Sequence, residues 1–175
     1  MDKKRIIFAI VGILVVIAII SFTVGRGILE GKQPTITSFL IINFSGYLFF
    51  IMLPVEALIP YYLSAGYSGL VLVILAVITG MIAQMIDYSI GYSVSESVIH
   101  DIIGKWRYQK AERTIQKYGD TAILLFNFLP LSSPIIILAA GVLRFDFKRV
   151  MLYSAIGLLA KYLIIVFIAH FFIVA

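Results

Sequence analysis

Apolar residues along this chain fall in long unbroken stretches, without the spacing of an amphipathic helix or the alternation of a half-buried strand. The first stretch, Ile6 to Val24, is uncharged and close to the about 20 residues a helix needs to cross a bilayer. Lys3, Lys4 and Arg5 precede it, as they would in a signal peptide. A signal peptide, however, has an apolar core of only about 7–15 residues, ending at a small-residue cleavage site. No such site stands before Arg26, so a retained anchor is expected. Residues 25–35 then read as a short polar link containing Arg26, Glu30, Lys32 and Pro34.

The second stretch is interrupted at Leu53-Pro54-Val55-Glu56-Ala57-Leu58-Ile59-Pro60, which sets two prolines and a carboxylate at bilayer depth. Proline removes a helical hydrogen bond and clashes with the preceding turn. Broken backbone persists in a membrane only where protein buries it or a wet cavity receives it. Residues 36–65 are therefore expected to form a re-entrant helical hairpin with its tip near Pro54. Ser68 is placed to cap a spanning helix that runs to about Val94.

Residues 95–119 form the only charged region of any length. Val98, Ile99, Ile102, Ile103 and Trp106 make an apolar stripe opposite Glu96, Asp101 and Lys105, and with Tyr108 this predicts one amphipathic helix in the interface. Gly119 is placed to end it, and Asp120 or Thr121 to cap the next helix. The next uncharged stretch, Thr121 to Leu143, is broken by Pro130 and Pro134 in Asn127-Phe128-Leu129-Pro130-Leu131-Ser132-Ser133-Pro134, and a second re-entrant hairpin is expected. Arg144, Lys148 and Arg149 come next at the interface, with Asp146 as N-cap, and a last span from about Val150 to Val174 carries Lys161.

The expected fold is thus an all-α integral membrane protein with three spanning helices, two re-entrant hairpins and one interfacial amphipathic helix. Residues 1–33 would be an N-terminal anchor helix and link, and 34–175 a transport core. That core divides into a first hairpin and span at 36–94, the interfacial helix at 95–119, and a second hairpin and span at 120–175. The halves overlay: Leu53-Pro54 answers Leu129-Pro130, Ala65-Gly66 answers Ala140-Gly141, Gly80 answers Gly157, and Asp87-Tyr88 answers Lys161-Tyr162. Cytoplasmic loops carry an excess of lysine and arginine. A cytoplasmic N-terminus in the cell membrane places Lys3–Arg5, Lys105–Lys117 and Arg144–Arg149 inside and leaves Arg26 and Lys32 outside. The halves then run antiparallel, an inverted repeat of the kind transporters use.

Composition narrows the chemistry. The 175 residues are 62% hydrophobic and 13% charged, against about 45–50% and 25% for soluble domains. The net charge of +5 comes from residues flanking apolar segments, so it fits anionic headgroups and no nucleic-acid partner is expected. Cysteine is absent, and His100 and His170 are too few and too far apart for a metal site. Gly66-Tyr67-Ser68-Gly69 resembles an intramembrane serine protease motif, but such a serine needs a neighbouring histidine. No P-loop or zinc-protease motif appears. No enzyme activity, cofactor or metal is expected.

Several motifs, in order and spacing, resemble the DedA superfamily, whose core is called the VTT or SNARE-associated Golgi protein domain. They are Pro54-Val55-Glu56 with Ala65-Gly66, then Tyr88-Ser89-Ile90-Gly91, then Phe128-Leu129-Pro130 with Ala140-Gly141. The resemblance runs from about Gly46 to the C-terminus, and Ile156-Gly157 with Lys161-Tyr162 is similar to a small branch carrying Ile-Gly-Lys-x-x-Arg-Tyr. Asn127 and Ser133 stand where many members carry arginine, and Ala83-Gln84 where Gly-Asp is usual. The resemblance implies a flippase or scramblase for polyprenyl-phosphate or phospholipid, some members being proton-dependent. A proton-coupled solute transporter and a non-transporting packing protein are the alternatives. Membrane lipids, and protons for a coupled transporter, are the expected partners, and a homo-oligomer is compatible with the sequence.

Ionisable groups inside a membrane are functional candidates by default. Glu56 either carries protons or forms a pair with Lys161 or reaches headgroups; Asp87 either titrates and gates or pairs with Lys161. Lys161 either holds an anionic headgroup, joins such a pair, or snorkels. Asn127, Ser132 and Ser133 beside broken backbone either bind a headgroup or satisfy freed backbone groups. Arg144 either meets headgroups or sets orientation. Pro54, Pro60, Gly66, Tyr88, Gly91, Pro130, Pro134, Gly141, Gly157 and Tyr162 are expected to shape the scaffold.

Overall fold

A computed structural model of the chain describes residues 3–29, 33–48, 55–94, 96–129 and 133–174, with side chains between 12 and 172 apart from 14, 28 and 29. Among the described residues all regular structure is helical. The order is α1 (Lys3–Leu29), α2 (Ile36–Gly46), a 3-10 turn at Val55–Ala57, α3 (Leu58–Ser64), α4 (Gly69–Ser93), α5 (Glu96–Ile103), α6 (Lys105–Tyr118), α7 (Asp120–Phe128), α8 (Ser133–Val142) and α9 (Phe147–Val174).

Two of the described helices, α4 and α9, are long and apolar enough to cross a membrane. At 1.5 Å per residue, the 25 residues of α4 extend about 37 Å, more than the about 30 Å hydrocarbon core. Each shows one apolar face to the outside: Leu70, Ile74, Ile78 and Ile82 on α4, Leu152, Ile156, Leu159 and Leu163 on α9. Exposed apolar rows this long are foreign to a monomer in water and suit lipid. The ends of the helices show that α4 and α9 run antiparallel. Tyr88 near the end of α4 donates its hydroxyl proton to the Phe145 carbonyl just before α9. At the other end, a Cβ built on Gly69 would lie 2.7 Å from Val166.

Two cores flank this pair. Phe39, Leu48, Ile59, Tyr62, Leu72 and Tyr162 close α2 and α3 onto the spans, and Tyr67 donates to the Pro34 carbonyl at 2.8 Å, so the chain leaves α3 beside the point where it entered α2. Ile99, Tyr108, Ile115, Ile123 and Ile136 join α5 through α8 in the second core. Glycine sets the tightest crossing. A Cβ on Gly91 would sit 2.1 Å from the Leu138 carbonyl oxygen, and one on Gly141 would sit 2.3 Å from the Tyr88 oxygen, so only glycine lets α4 and α8 approach this closely.

Several expectations are corrected here. Two helices, α5 and α6, replace the single interfacial helix of 95–119, because Gly104 takes φ +87 and breaks the turn. Val98, Ile99 and Ile103 are buried against protein while Trp106 is 71% exposed, so they do not share one membrane-facing stripe. Helix α1 continues to Leu29, so Gly25–Leu29 belong to it and not to the link. Pro60 and Pro134 lie in the first turns of α3 and α8, where a missing N–H costs little; they begin helices and break none. Ser68 is the N-cap of α4, but its side chain makes no capping bond. Gly119, at φ +55, both ends α6 and caps α7, leaving Asp120 in the first turn of α7. Asp146 does cap α9, accepting the Arg149 N–H at 2.8 Å. Pro54, Pro130 and Ser132 fall outside the described residues.

Candidate functional site

A charged pair lies at the middle of the molecule. Lys161 is the fifteenth residue of α9 (161 − 147 + 1), about 21 Å from its start. Its Nζ lies 2.8 Å from Oε1 of Glu56, 105 residues away on the 3-10 turn. The Lys161 side chain is 5% exposed and that of Glu56 is 26% exposed. The Lys161 ammonium also lies 5.1 Å from the Tyr47 ring centre and 5.5 Å from that of Tyr162. Two electron-rich faces and one carboxylate thus compensate a cation that has lost its water.

Neutral groups extend this centre across the bundle. The Tyr162 hydroxyl is 3.0 Å from both Asn43 Oδ1 and the Tyr47 hydroxyl. The Asn43 amide donates to Thr79 Oγ1 at 2.7 Å and to the Ala76 carbonyl at 3.1 Å. Asn43 and Tyr162 are fully buried, so α2, α4 and α9 meet through hydrogen bonds that no water replaces. Gly80 makes room: a Cβ there would lie 3.3 Å from Leu158 and 3.4 Å from the Tyr47 ring.

A second polar cluster joins α4, α7 and α9. Asn127 donates to Ser154 Oγ at 3.1 Å and to the Ile123 carbonyl at 3.0 Å, and its Oδ1 accepts from Gln84. Gly157 lets α7 come close, since a Cβ there would lie 2.7 Å from the Leu124 oxygen. Asp87, one turn beyond Gln84, is fully buried.

The expected site residues therefore separate. Glu56, Lys161 and Tyr162 converge on the first cluster, and Asn127 sits in the second, engaged with its neighbours. Ser133 is buried at the start of α8. Gly66 adopts φ +90 at the turn into α4. Arg144 takes φ +53 between α8 and α9, its guanidinium 4.2 Å over the Tyr92 ring. Asn43, Tyr47, Thr79 and Ser154 are the functional-site neighbours that pattern reading missed. The signal available was a polar amide, Asn43, inside the mostly apolar run from Phe39 to Phe44. Among the described residues there is no group of three or more side chains suited to a metal ion.

Long apolar helices around buried polar clusters define a helical membrane protein. The family is set by the chain itself: the family model of the VTT domain matches residues 36–171, and the protein belongs to this DedA-type family of membrane proteins. The match begins ten residues before Gly46 and so takes in α2, whose Asn43 joins the first cluster. No curated protein and no solved structure matches the chain.

Proposed function

We propose that the protein moves lipid across the bilayer as a flippase or scramblase, carrying polyprenyl-phosphate or phospholipid headgroups past Glu56 and Lys161. The observation behind this reading is the Glu56–Lys161 pair at mid-length of α9. An ionisable residue at bilayer depth costs about 2.5–3.5 kcal/mol on insertion scales, a burden that a module built only for packing has no reason to carry. In this mechanism an anionic headgroup displaces the Glu56 carboxylate from Lys161, and a proton taken up by Glu56 favours the exchange. Asp87 is a second proton-handling group. Asn127 on α7 and Ser133 on α8 are further headgroup contacts in this reading, with Ser132 a third by its place in the sequence, and Arg144 meets headgroups at the mouth of the route.

The proposed scaffold has α1, α4 and α9 as spans and two re-entrant hairpins, one from α2 to α3 and one from α7 to α8. The halves form an inverted repeat in the cell membrane, with the N-terminus in the cytoplasm. Matched hydrogen bonding supports it. Asn43 donates to Thr79 on the span following its own hairpin, and it meets Tyr162 of the other span. Asn127 donates to Ser154 on the span following its own hairpin, and it accepts from Gln84 of the other span.

The test is translocation of fluorescently labelled lipids by the purified protein in liposomes. The protein should move lipid faster than empty liposomes do, Glu56→Gln should remove the pH dependence, and Lys161→Ala should impair anionic lipids more than zwitterionic ones. Folded protein that moves no lipid defeats the proposal.

A further inference from the structure

We infer that the outward face of α6 docks on an anionic lipid surface, at a contact separate from the Glu56–Lys161 centre. The inward face of this helix is already occupied, since Tyr108, Ala111 and Ile115 are buried in the second core. The outward face carries Trp106, Lys110, Arg113 and Lys117, at intervals of 4, 3 and 4 residues that align them along one side. Trp106 is 71% exposed and Tyr118 is 54% exposed. The Lys110 ammonium lies 5.3 Å from the Trp106 ring and that of Lys117 lies 4.9 Å from the Tyr118 ring. These side chains and Gln109 line a shallow groove along the helix.

Charge complementarity identifies the occupant. Helix α6 holds five cations, Lys105, Arg107, Lys110, Arg113 and Lys117, against the single acid Glu112, a net charge of +4. Tryptophan and tyrosine settle at the headgroup level of a bilayer, and cations on a juxtamembrane helix are drawn to anionic lipid within a Debye length. The helix sits where that surface must be. With α5 it connects the end of α4 to the start of α7, and Arg149 at the start of α9 pairs with Asp120 of α7 at the same end. From Trp106 to Lys117 the face extends about 17 Å, and a bilayer surface receives all of it at once, apolar rings included. A soluble acidic partner matches the cations and leaves Trp106 without an apolar neighbour.

Trp106 is the only tryptophan in the chain, so its emission reports on this face alone. The full chain is reconstituted into vesicles of phosphatidylcholine, or of phosphatidylcholine with phosphatidylglycerol. In the anionic vesicles the emission should move to shorter wavelength, and brominated lipid should quench it. Both effects should fade at about 1 M salt, where the Debye length falls to about 3 Å. The combined Lys110→Gln, Arg113→Gln and Lys117→Gln variant, altered only at exposed positions, should show no difference between the two lipids. Identical wild-type emission in both vesicles overturns the inference, as does a triple variant that keeps the anionic response. So does a shift produced by a soluble polyanion such as heparin but not by anionic lipid. None of these readings depends on whether the protein translocates lipid.

Discussion

The two members of the Glu56–Lys161 pair are not equally buried, and this asymmetry determines how mutations should behave. Removing one partner of a buried pair costs about 3–5 kcal/mol, whereas replacing both with apolar residues is often near neutral. Glu56→Leu strands Lys161, which is 5% exposed, and should cost the most stability; Lys161→Met strands Glu56, which at 26% keeps some contact outside the protein, and should cost less. The double variant should recover most of the loss. Thermal unfolding in detergent gives all four corners of this cycle, and equal losses for the two singles would contradict the asymmetry. Liposome translocation by the same proteins separates architecture from mechanism, because a double variant that regains both stability and transport would reduce the pair to a structural tie. Both charges were legible in the sequence, since a formal charge inside an apolar stretch stands out by its cost. Asn43, Tyr47 and Thr79 were not. They carry no charge, and helical spacing does not tell which face of α2 will meet a residue 119 positions later.

Among the elements, close packing of α4 on α8 dominates. The atoms that a new methyl would strike at Gly91 and Gly141 are backbone oxygens, which cannot rotate away as a side chain can. Gly91→Ala and Gly141→Ala should each destabilise by at least the about 1–3 kcal/mol typical of overpacking. Gly25→Ala is the control, because nothing lies within 4 Å of its Cβ position, and it should leave the melting temperature in detergent unchanged. Gly91→Ala melting with Gly25→Ala would mean that the crossing is looser than its distances require. The boundaries of α4 were readable from apolar length: it was expected from Ser68 to about Val94 and occupies Gly69–Ser93. Boundaries were not readable where one backbone angle decided. A stripe at helical spacing passes through Gly104 unbroken, and only the φ of +87 reveals two helices. Pro60 and Pro134 misled for a related reason, because composition cannot distinguish a proline that breaks a helix from one that begins it.

For the whole molecule, chain ends and ion pairs constrain the path through the membrane. Tyr67 reaches back to Pro34, Arg149 reaches back to Asp120, and Tyr88 bonds to Phe145, contacts that fit the re-entrant excursions proposed for α2–α3 and α7–α8. The first lies at the end holding Gly69 and Val166, the second at the end holding Tyr92 and Arg144. The proposed inverted repeat requires the two hairpins to enter from opposite sides, and the basic residues give the direction proposed for it. Helix α6 carries Lys105 to Lys117, and the turn before α9 with its first residues carries Arg144 to Arg149, whereas residues 25–35 hold only Arg26 and Lys32 as cations. On the proposed orientation, with the N-terminus inside, the positive-inside bias assigns α6 to the cytoplasmic side. The chain has no cysteine, so a single introduced thiol is a unique reporter. In intact cells Lys32→Cys should react with a membrane-impermeant maleimide, while Gln109→Cys should react only after permeabilisation. The reverse pattern would invert the protein in the membrane and detach α6 from the cytoplasmic leaflet. Labelling of both from outside would place 32 and 109 on one side, which an odd number of crossings between them forbids, and the single passage assigned to α4 would have to be abandoned.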